Sequence, residues 1–316
     1  MDGASVVRIG TRGSALARWQ ADWVADRLRA AHPGLRVDLI EIRTRGDRDR
    51  NSPLAQIAGG SSGTGLFTKE IQRALLDGEV ELAVHSLKDL PTRGPDALTL
   101  GAIPEREDPA DALIAPRHQT LDALPEGATV GTGSLRRQAM LRHARPDLNV
   151  VGIRGNVETR LARATSGELD AVVLAASGLH RLGLDGQITD RLGPPRFLPA
   201  VGQGALGIEC RSDDETTLAL LAPLDHPPTR RAVLAERACL AELEGGCMVP
   251  LAAWGREVEG DLLALDVAVF DPDGRERLDA ARTGPLDDPE GLGRQVAAEL
   301  RALGADRLLH AARPES

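Results

Sequence analysis

The chain carries one short signal twice. Val6-Val7-Arg8-Ile9 runs into Gly10-Thr11-Arg12-Gly13-Ser14, and Val130 runs into Gly131-Thr132-Gly133-Ser134. After the first turn Leu16, Trp19, Trp23, Val24 and Leu28 recur at helical spacing, so the unit reads as strand, tight turn and helix. Two further echoes follow in the same order. Arg45-Gly46-Asp47 returns as Arg154-Gly155-Asn156, and the segment from Gly78 to Val84 returns as that from Gly167 to Val173. The interval between matching signals shrinks along the chain, as expected if the first half has the longer connections. Three echoes in one order predict two similar α/β lobes facing each other across a cleft.

Other elements fill in this plan. A strand is expected over Val37 to Ile42, a helix over Leu66 to Leu76 and a strand over Glu81 to Leu87. Strands alternating with helices imply βαβ units and a mainly parallel sheet. The extra length of the first half falls between Gly46 and Gly65, rich in Gly, Ser and charge, and reads as a surface loop of the kind that serves as a lid. The last part differs. It reads as a helix from Pro227 to Leu243, strands at Val249 to Trp254 and Leu262 to Phe270, a turn at Asp271-Pro272-Asp273-Gly274, and a helix from Pro289 to Leu303. That is a small α+β third domain, and 316 residues suit two or three domains.

Composition narrows the function classes. A net charge of −9 argues against nucleic acid as a partner. No apolar stretch approaches the ~18–20 residues that span a membrane, and Met1 to Ser5 lead into no signal-peptide pattern, so a cytoplasmic protein is expected. Cys210, Cys239 and Cys247 are odd in number and form no C-x-x-C, and no H-x-x-x-H occurs, which argues against a disulfide framework and a metal site. All the basic residues except Lys69 and Lys88 are arginine, chiefly a compositional bias.

Where the arginines sit carries more information. The turns at Thr11 and Thr132 lie between a strand end and a helix start, where free N–H groups and the helix dipole favour anions. Arg12 and Ser14 flank the first turn, and Ser134, Arg136 and Arg137 flank the second. Arg154 follows a strand, Arg160 lies in the helix beyond it, and Arg181 follows another strand. In open α/β sheets the ligand crevice lies at the carboxyl ends of the strands. The pattern predicts an anion-binding cleft suited to carboxylates, whose two oxygens match the guanidinium fork. The strand ending in His85-Ser86-Leu87-Lys88-Asp89-Leu90-Pro91 places Lys88 and Asp89 at the same crevice. They read as an exposed ion pair or as an acid/base carboxylate beside a lysine.

Two tempting motifs fail. Gly202-Gln203-Gly204-Ala205-Leu206-Gly207 fits a dinucleotide fingerprint but continues as a strand through Ile208-Glu209-Cys210, where a helix is required. Gly60 to Gly65 lacks the Lys-Ser/Thr of a phosphate loop. Cys247, in Glu242-Leu243-Glu244-Gly245-Gly246-Cys247, reads on these grounds as a buried thiol, a nucleophile or an anchor.

With these residues in place the chain closely resembles the porphobilinogen deaminase (hydroxymethylbilane synthase) family over essentially its whole length. The carriers are Gly10 to Ser14, Ala83 to Pro91, Glu105-Arg106-Glu107-Asp108-Pro109, Ser134 to Arg137, Arg154 to Val157, Leu198 to Gly204, and Leu243 to Cys247. The resemblance implies two type II periplasmic-binding-protein-like lobes plus a small α+β C-terminal domain. The expected limits are 1–104 plus 203–223, 105–202 and 224–316. It implies a dipyrromethane cofactor in thioether linkage to Cys247 and porphobilinogen as substrate, and the family suggests a monomer. In the implied reaction ammonia leaves porphobilinogen, the resulting methylene-pyrrole cation is attacked by a pyrrole carbon, and four rounds yield hydroxymethylbilane. Asp89 matches the catalytic aspartate. Arg12, Ser14, Arg154, Arg160 and Arg181 match substrate-side contacts, Lys88, Ser134, Arg136 and Arg137 cofactor-side contacts, and Phe67 a loop residue near the site.

Two departures stand out. The family's Gly-Gly-Lys-Gly-Leu-Phe is here Gly59-Gly60, then Ser61-Ser62-Gly63, then Thr64-Gly65-Leu66-Phe67, which drops the lysine. Its Thr-Ser-Ser is Thr132-Gly133-Ser134, which loses a hydroxyl. The competing classes are a non-enzymatic two-lobed binding protein for a polycarboxylate and a cysteine-nucleophile enzyme. Asp89 beside Lys88 and the third domain speak against the first. The second lacks a histidine near Cys247 in sequence.

Overall fold

Two five-stranded sheets repeat one topology. The computed structural model describes residues 6–44, 68–243 and 249–312. Arg45 to Asp47, the expected lid, Phe67 and Cys247 lie outside the described residues. In the first sheet β1 (Val6–Thr11) lies between β2 (Arg36–Glu41) and β3 (Leu82–Ser86), parallel to both. In the second, β6 (Thr129–Thr132) lies between β7 (Asn149–Gly152) and β8 (Ala171–Ala175), again parallel to both.

Each sheet then takes in one antiparallel strand. β10 (Leu206–Arg211) sits between β3 and β4 (Leu98–Ala102), and β5 (Asp111–Ile114) sits between β8 and β9 (Asp190–Leu192). The sheets are therefore mixed rather than mainly parallel. Connectivity is the cause: β5 and β10 are each entered directly from the other lobe. A chain that leaves one sheet at the cleft edge and enters the next from its own cleft edge must run away from the cleft.

The repeated turns cap helices as their sequences imply. Ser14 Oγ accepts from Ala17 N at 3.3 Å to open α1 (Ala15–Ala31), and Ser134 Oγ accepts from Arg137 N at 3.4 Å. The second cap opens α3 (Leu135–Ala144), after α2 (Lys69–Leu76) in the first lobe. Asn156 Oδ1 accepts from Thr159 N at 2.8 Å to open α4 (Val157–Thr165). The short helices α5 (Ala176–Arg181) and α6 (Glu215–Leu221) complete the two lobes. The buried face of α1 is Gln20, Ala21, Val24, Ala25 and Leu28, leaving Trp19 36% exposed. Trp19 faces Arg181 of α5, whose guanidinium carbon lies 6.0 Å from the indole centroid, so the two lobes touch there.

The third domain packs α7 (Pro227–Glu242) and α8 (Pro289–Ala302), with α9 (Ala305–Ala311), on a sheet of β11 (Leu251–Val258), β12 (Leu262–Phe270) and β13 (Arg277–Pro285). β11 runs on through Arg256 and Glu257, beyond its apolar part. Those two charges find partners in Asp266 and Arg231, both at 2.5 Å. The turn at Gly274 docks on α3: a Cβ at this position would lie 2.4 Å from Ala139 O, and Gly274 takes φ +72°, so the contact requires glycine. Around it His143 Nδ1 lies 3.0 Å from Gly274 O, and Arg142 donates to Pro272 O at 2.9 Å. Ala252, Ala268 and Phe270 join the core of the second lobe.

The two crossings and the third domain meet at one buried carboxylate. Glu236 of α7 is fully buried and takes a two-pronged contact from Arg106, at 2.6 and 3.3 Å. It also accepts from Gly202 N at 2.7 Å and from Gly255 N at 2.8 Å. Replacing it strands the nearly buried Arg106 cation. Glu236→Gln is therefore expected to lower unfolding stability by about 3–5 kcal/mol, read from the urea midpoint and slope. A loss below about 1 kcal/mol would show the pair to be dispensable.

Candidate active site

β3 ends at Ser86 because its ladder partner β10 begins opposite it, at Leu206. Leu87 to Asp89 then form a single 3-10 turn, with Leu87 N donating to Ala205 O at 3.0 Å. The strand thus ends one residue before Leu87, the end expected from the sequence. This turn leaves Asp89 exposed at the strand's carboxyl end and Lys88 half-buried beside it.

Behind Lys88 lies a polar cluster that ties the lobes together. Asp111, at the start of β5, takes Arg136 at 2.9 Å and Arg137 at 2.8 Å. Its Oδ1 also accepts from Gln203 Nε2 at 2.7 Å. Gln203 Oε1 in turn accepts from Arg137 Nη2 at 3.1 Å and from Lys88 Nζ at 3.4 Å. Burial pushes the Asp111 carboxyl up, but Arg136 and Arg137 outweigh it and hold it below the usual range. Lys88 has the opposite balance. Desolvation, with Arg137 adding repulsion, pushes its ammonium down to about 8 against the opposing pull of Asp89 and Asp111.

The other arginines divide. Arg136 is turned into the second lobe, donating to Leu198 O at 2.7 Å. Arg181 donates to Gly204 O at 2.6 Å, and burial pushes its guanidinium down to about 10. Gly204 takes φ +87°, with its Cα held so close to the first crossing that a Cβ would lie 2.3 Å from Glu107 O. Arg154 and Arg160 are different. Arg154 Nη1 and Arg160 Nε are buried with no hydrogen-bond partner among the described residues. Desolvation, then Arg137, lowers the Arg160 pKa, and Asp89 opposes the shift, which places Arg160 among these groups. Thr132 Oγ1, at the end of β6, is likewise buried and unpartnered. Arg12 and Ser14 sit half-buried at the end of β1.

Lys88, Asp89, Arg137 and Arg160 are thus brought together, with Arg137, like Arg136 and Arg181, also engaged by the protein's own acceptors. Asp111 and Gln203 were missed in the sequence. Asp111 stands in an unremarkable Asp-Ala-Leu-Ile strand, and Gln203 stands inside a rejected glycine motif. Unpartnered guanidinium N–H groups beside a partly desolvated ammonium are a donor set for carboxylates. A pyrrole bearing acetate and propionate side chains fits that set.

The fold and site define a two-lobed α/β protein with a cationic cleft and a third domain clamped across both crossings. A family model described as "Porphobilinogen deaminase, dipyromethane cofactor binding domain" matches residues 7–219, and "Porphobilinogen deaminase, C-terminal domain" matches residues 230–302. The chain is 49% identical over 308 residues to the porphobilinogen deaminase of Syntrophotalea carbinolica, covering 98% of this chain and 96% of that one. It is 50% identical over 303 residues to that of Geobacter metallireducens, covering 96% and 93%. A solved structure of a putative methionine-binding lipoprotein from Bacillus subtilis aligns with 70% of this chain and 90% of its own, at 14% identity and TM-score 0.44. The chain belongs to the porphobilinogen deaminase family.

The geometry around Lys88 has a measurable consequence. Below about pH 8 the lysine is charged both folded and unfolded, and the cost of desolvating it is present in full. Between about 8 and its ordinary 10.5 the folded state holds fewer protons, so this group adds stability as pH rises. In Cys247→Ser protein, acylation of Lys88 followed by peptide mass analysis should show a midpoint near pH 8. An ordinary lysine midpoint would contradict the burial argument.

Proposed function

We propose that the cleft joins four porphobilinogen molecules head to tail into hydroxymethylbilane, releasing ammonia at each step. The observation that carries this reading is the placing of the exposed Asp89 carboxylate among cations with open donors, in a chain of this family. The dipyrromethane cofactor, when bound, supplies the pyrrole carbon from which the product chain grows. In our reading Cys247 is its anchor.

Asp89 is assigned the proton work. Its carboxylate accepts a pyrrole N–H and so stabilises the methylene-pyrrole cation left when ammonia departs. A charge pair at 4 Å and effective dielectric 20 is worth about 4 kcal/mol. Arg12, Ser14, Arg154 and Arg160 are assigned to the substrate's carboxylates, a reading supported by the lack of any described partner for Arg154 Nη1 and Arg160 Nε. Lys88, Ser134 and Arg137 are assigned to the cofactor side. Arg136 supports that side through Asp111, and Arg181 shapes the substrate side by holding Gly204. Phe67 is assigned the part of the family's loop residue near the active site. The domain limits 1–104 with 203–223, 105–202 and 224–316 belong to the same proposal, as does a monomer working in the cytoplasm. Among the described residues no helix is long and apolar enough to cross a membrane.

The test is the intact mass of denatured protein. It should exceed the chain by two condensed pyrroles, the excess should vanish in Cys247→Ser, and porphobilinogen should add stepwise heavier species. A bare chain that stays bare after porphobilinogen is added to folded protein would refute the assignment in favour of a binding protein. Asp89→Asn is expected to lower turnover by about 10²–10⁴-fold with an unchanged far-UV spectrum.

A further inference from the structure

The third domain reaches the turn that carries Asp89 through one face of α7. Arg237 Nη1 donates to Leu90 O at 3.0 Å, and its Nη2 donates to Pro91 O at 2.7 Å. These are the two carbonyls that follow Asp89. One helical turn earlier, Val233 is fully buried against Leu87 and Leu90 of the same turn, in a small cluster with Ile103 and Ala205. The neighbouring Glu236 holds the second crossing at Gly202 and the first through Arg106. α7 therefore fixes the crossings and the Asp89 turn together.

We propose that Arg237 is a positioning residue for Asp89, setting the Leu87–Asp89 turn against the third domain. The inference rests on the polymerisation reading above. At Leu90 the backbone passes from the 3-10 turn into extended geometry, and Pro91 has no N–H to offer a neighbour. The exit direction of the turn is thus set by what bonds the two carbonyls. A guanidinium presents parallel N–H groups in one plane and can bond two successive carbonyls at once. An ammonium keeps the charge but is a single donor centre. The other described backbone bonds of this turn, Leu87 N to Ala205 O and Leu90 N to Leu87 O, restrain its start and its coil. Neither fixes its exit.

The experiment uses full-length protein carrying its cofactor, with Arg237→Met and Arg237→Lys beside wild type. Both variants should keep the cofactor-bearing mass. Arg237→Met should lose about 10–100-fold in kcat, the scale expected when a reacting group is displaced by about 1 Å. Its KM should move by less than about threefold, because ground-state contacts are spared. Arg237→Lys should fall between Met and wild type. Hydrogen exchange should speed up in a peptide spanning residues 87–91, with β8 unchanged in the same digest. A merely structural role predicts a lower Tm with kcat per folded, cofactor-bearing molecule intact, and that result overturns the proposal. So does unchanged exchange at residues 87–91. Wild-type protein that leaves porphobilinogen untouched would instead overturn the parent reading, and with it any catalytic consequence of Arg237. Exchange would then still report whether Arg237 holds the turn.

Discussion

The carboxylate of Glu236 is the contact on which the rest of the arrangement depends. A buried charge is tolerated when each lone pair is met, and here a guanidinium and two backbone N–H groups meet them. The partners come from both crossings and from the middle of β11, so a single side chain fixes three chain segments at one point. The adjoining residues extend its reach. Gly202 leads into Gln203, which bonds Lys88 and Asp111, and Glu236 is followed by Arg237, which bonds the exit of the Asp89 turn. Elsewhere on the third domain the Gly274 turn and Phe270 seat on α3 of the second lobe. The domain is thus a brace across both lobes.

Much of the lobe plan was legible because its determinants are local. Ser14, Ser134 and Asn156 announce helix starts within three residues of the N–H groups they cap, and β1 and β6 emerge as equivalent interior strands, second in each sheet. The rejected glycine motif also followed from local order, since β10 stands where a cofactor helix would have to begin. What escaped was nonlocal. Arg106 and Glu236 are 130 residues apart, and Gln203 and Asp111 are 92 apart, so no spacing rule could join them. The antiparallel β5 and β10 escaped for a related reason: their direction is set by which lobe the chain came from. Trp19 matched the helical period of the α1 core yet lies off its buried face, because the wide indole is placed against Arg181 of the other lobe.

The arginines show why position outweighs number. The chain as a whole is acidic, yet among the described residues Lys88, Arg136, Arg137, Arg154 and Arg160 gather near two carboxylates, Asp111 and Asp89. Asp111 is spent on Arg136, Arg137 and Gln203, deep on the second-lobe side. The remaining cations repel one another in a poorly solvated cleft. That repulsion helps to hold Lys88 near 8 and lowers Arg160. An anion in the cleft would relieve this repulsion, and on the proposed function it is the acceptor that Arg154 Nη1 and Arg160 Nε lack among the described residues. The same charge excess disfavours any free cation there, except beside a carboxylate with no strong partner among the described residues. Asp89, exposed and carried by a turn braced from the crossings and from α7, is that carboxylate. On the proposed function, anion capture by the arginines and cation stabilisation by Asp89 are two consequences of one charge arrangement, and moving the turn would disturb both.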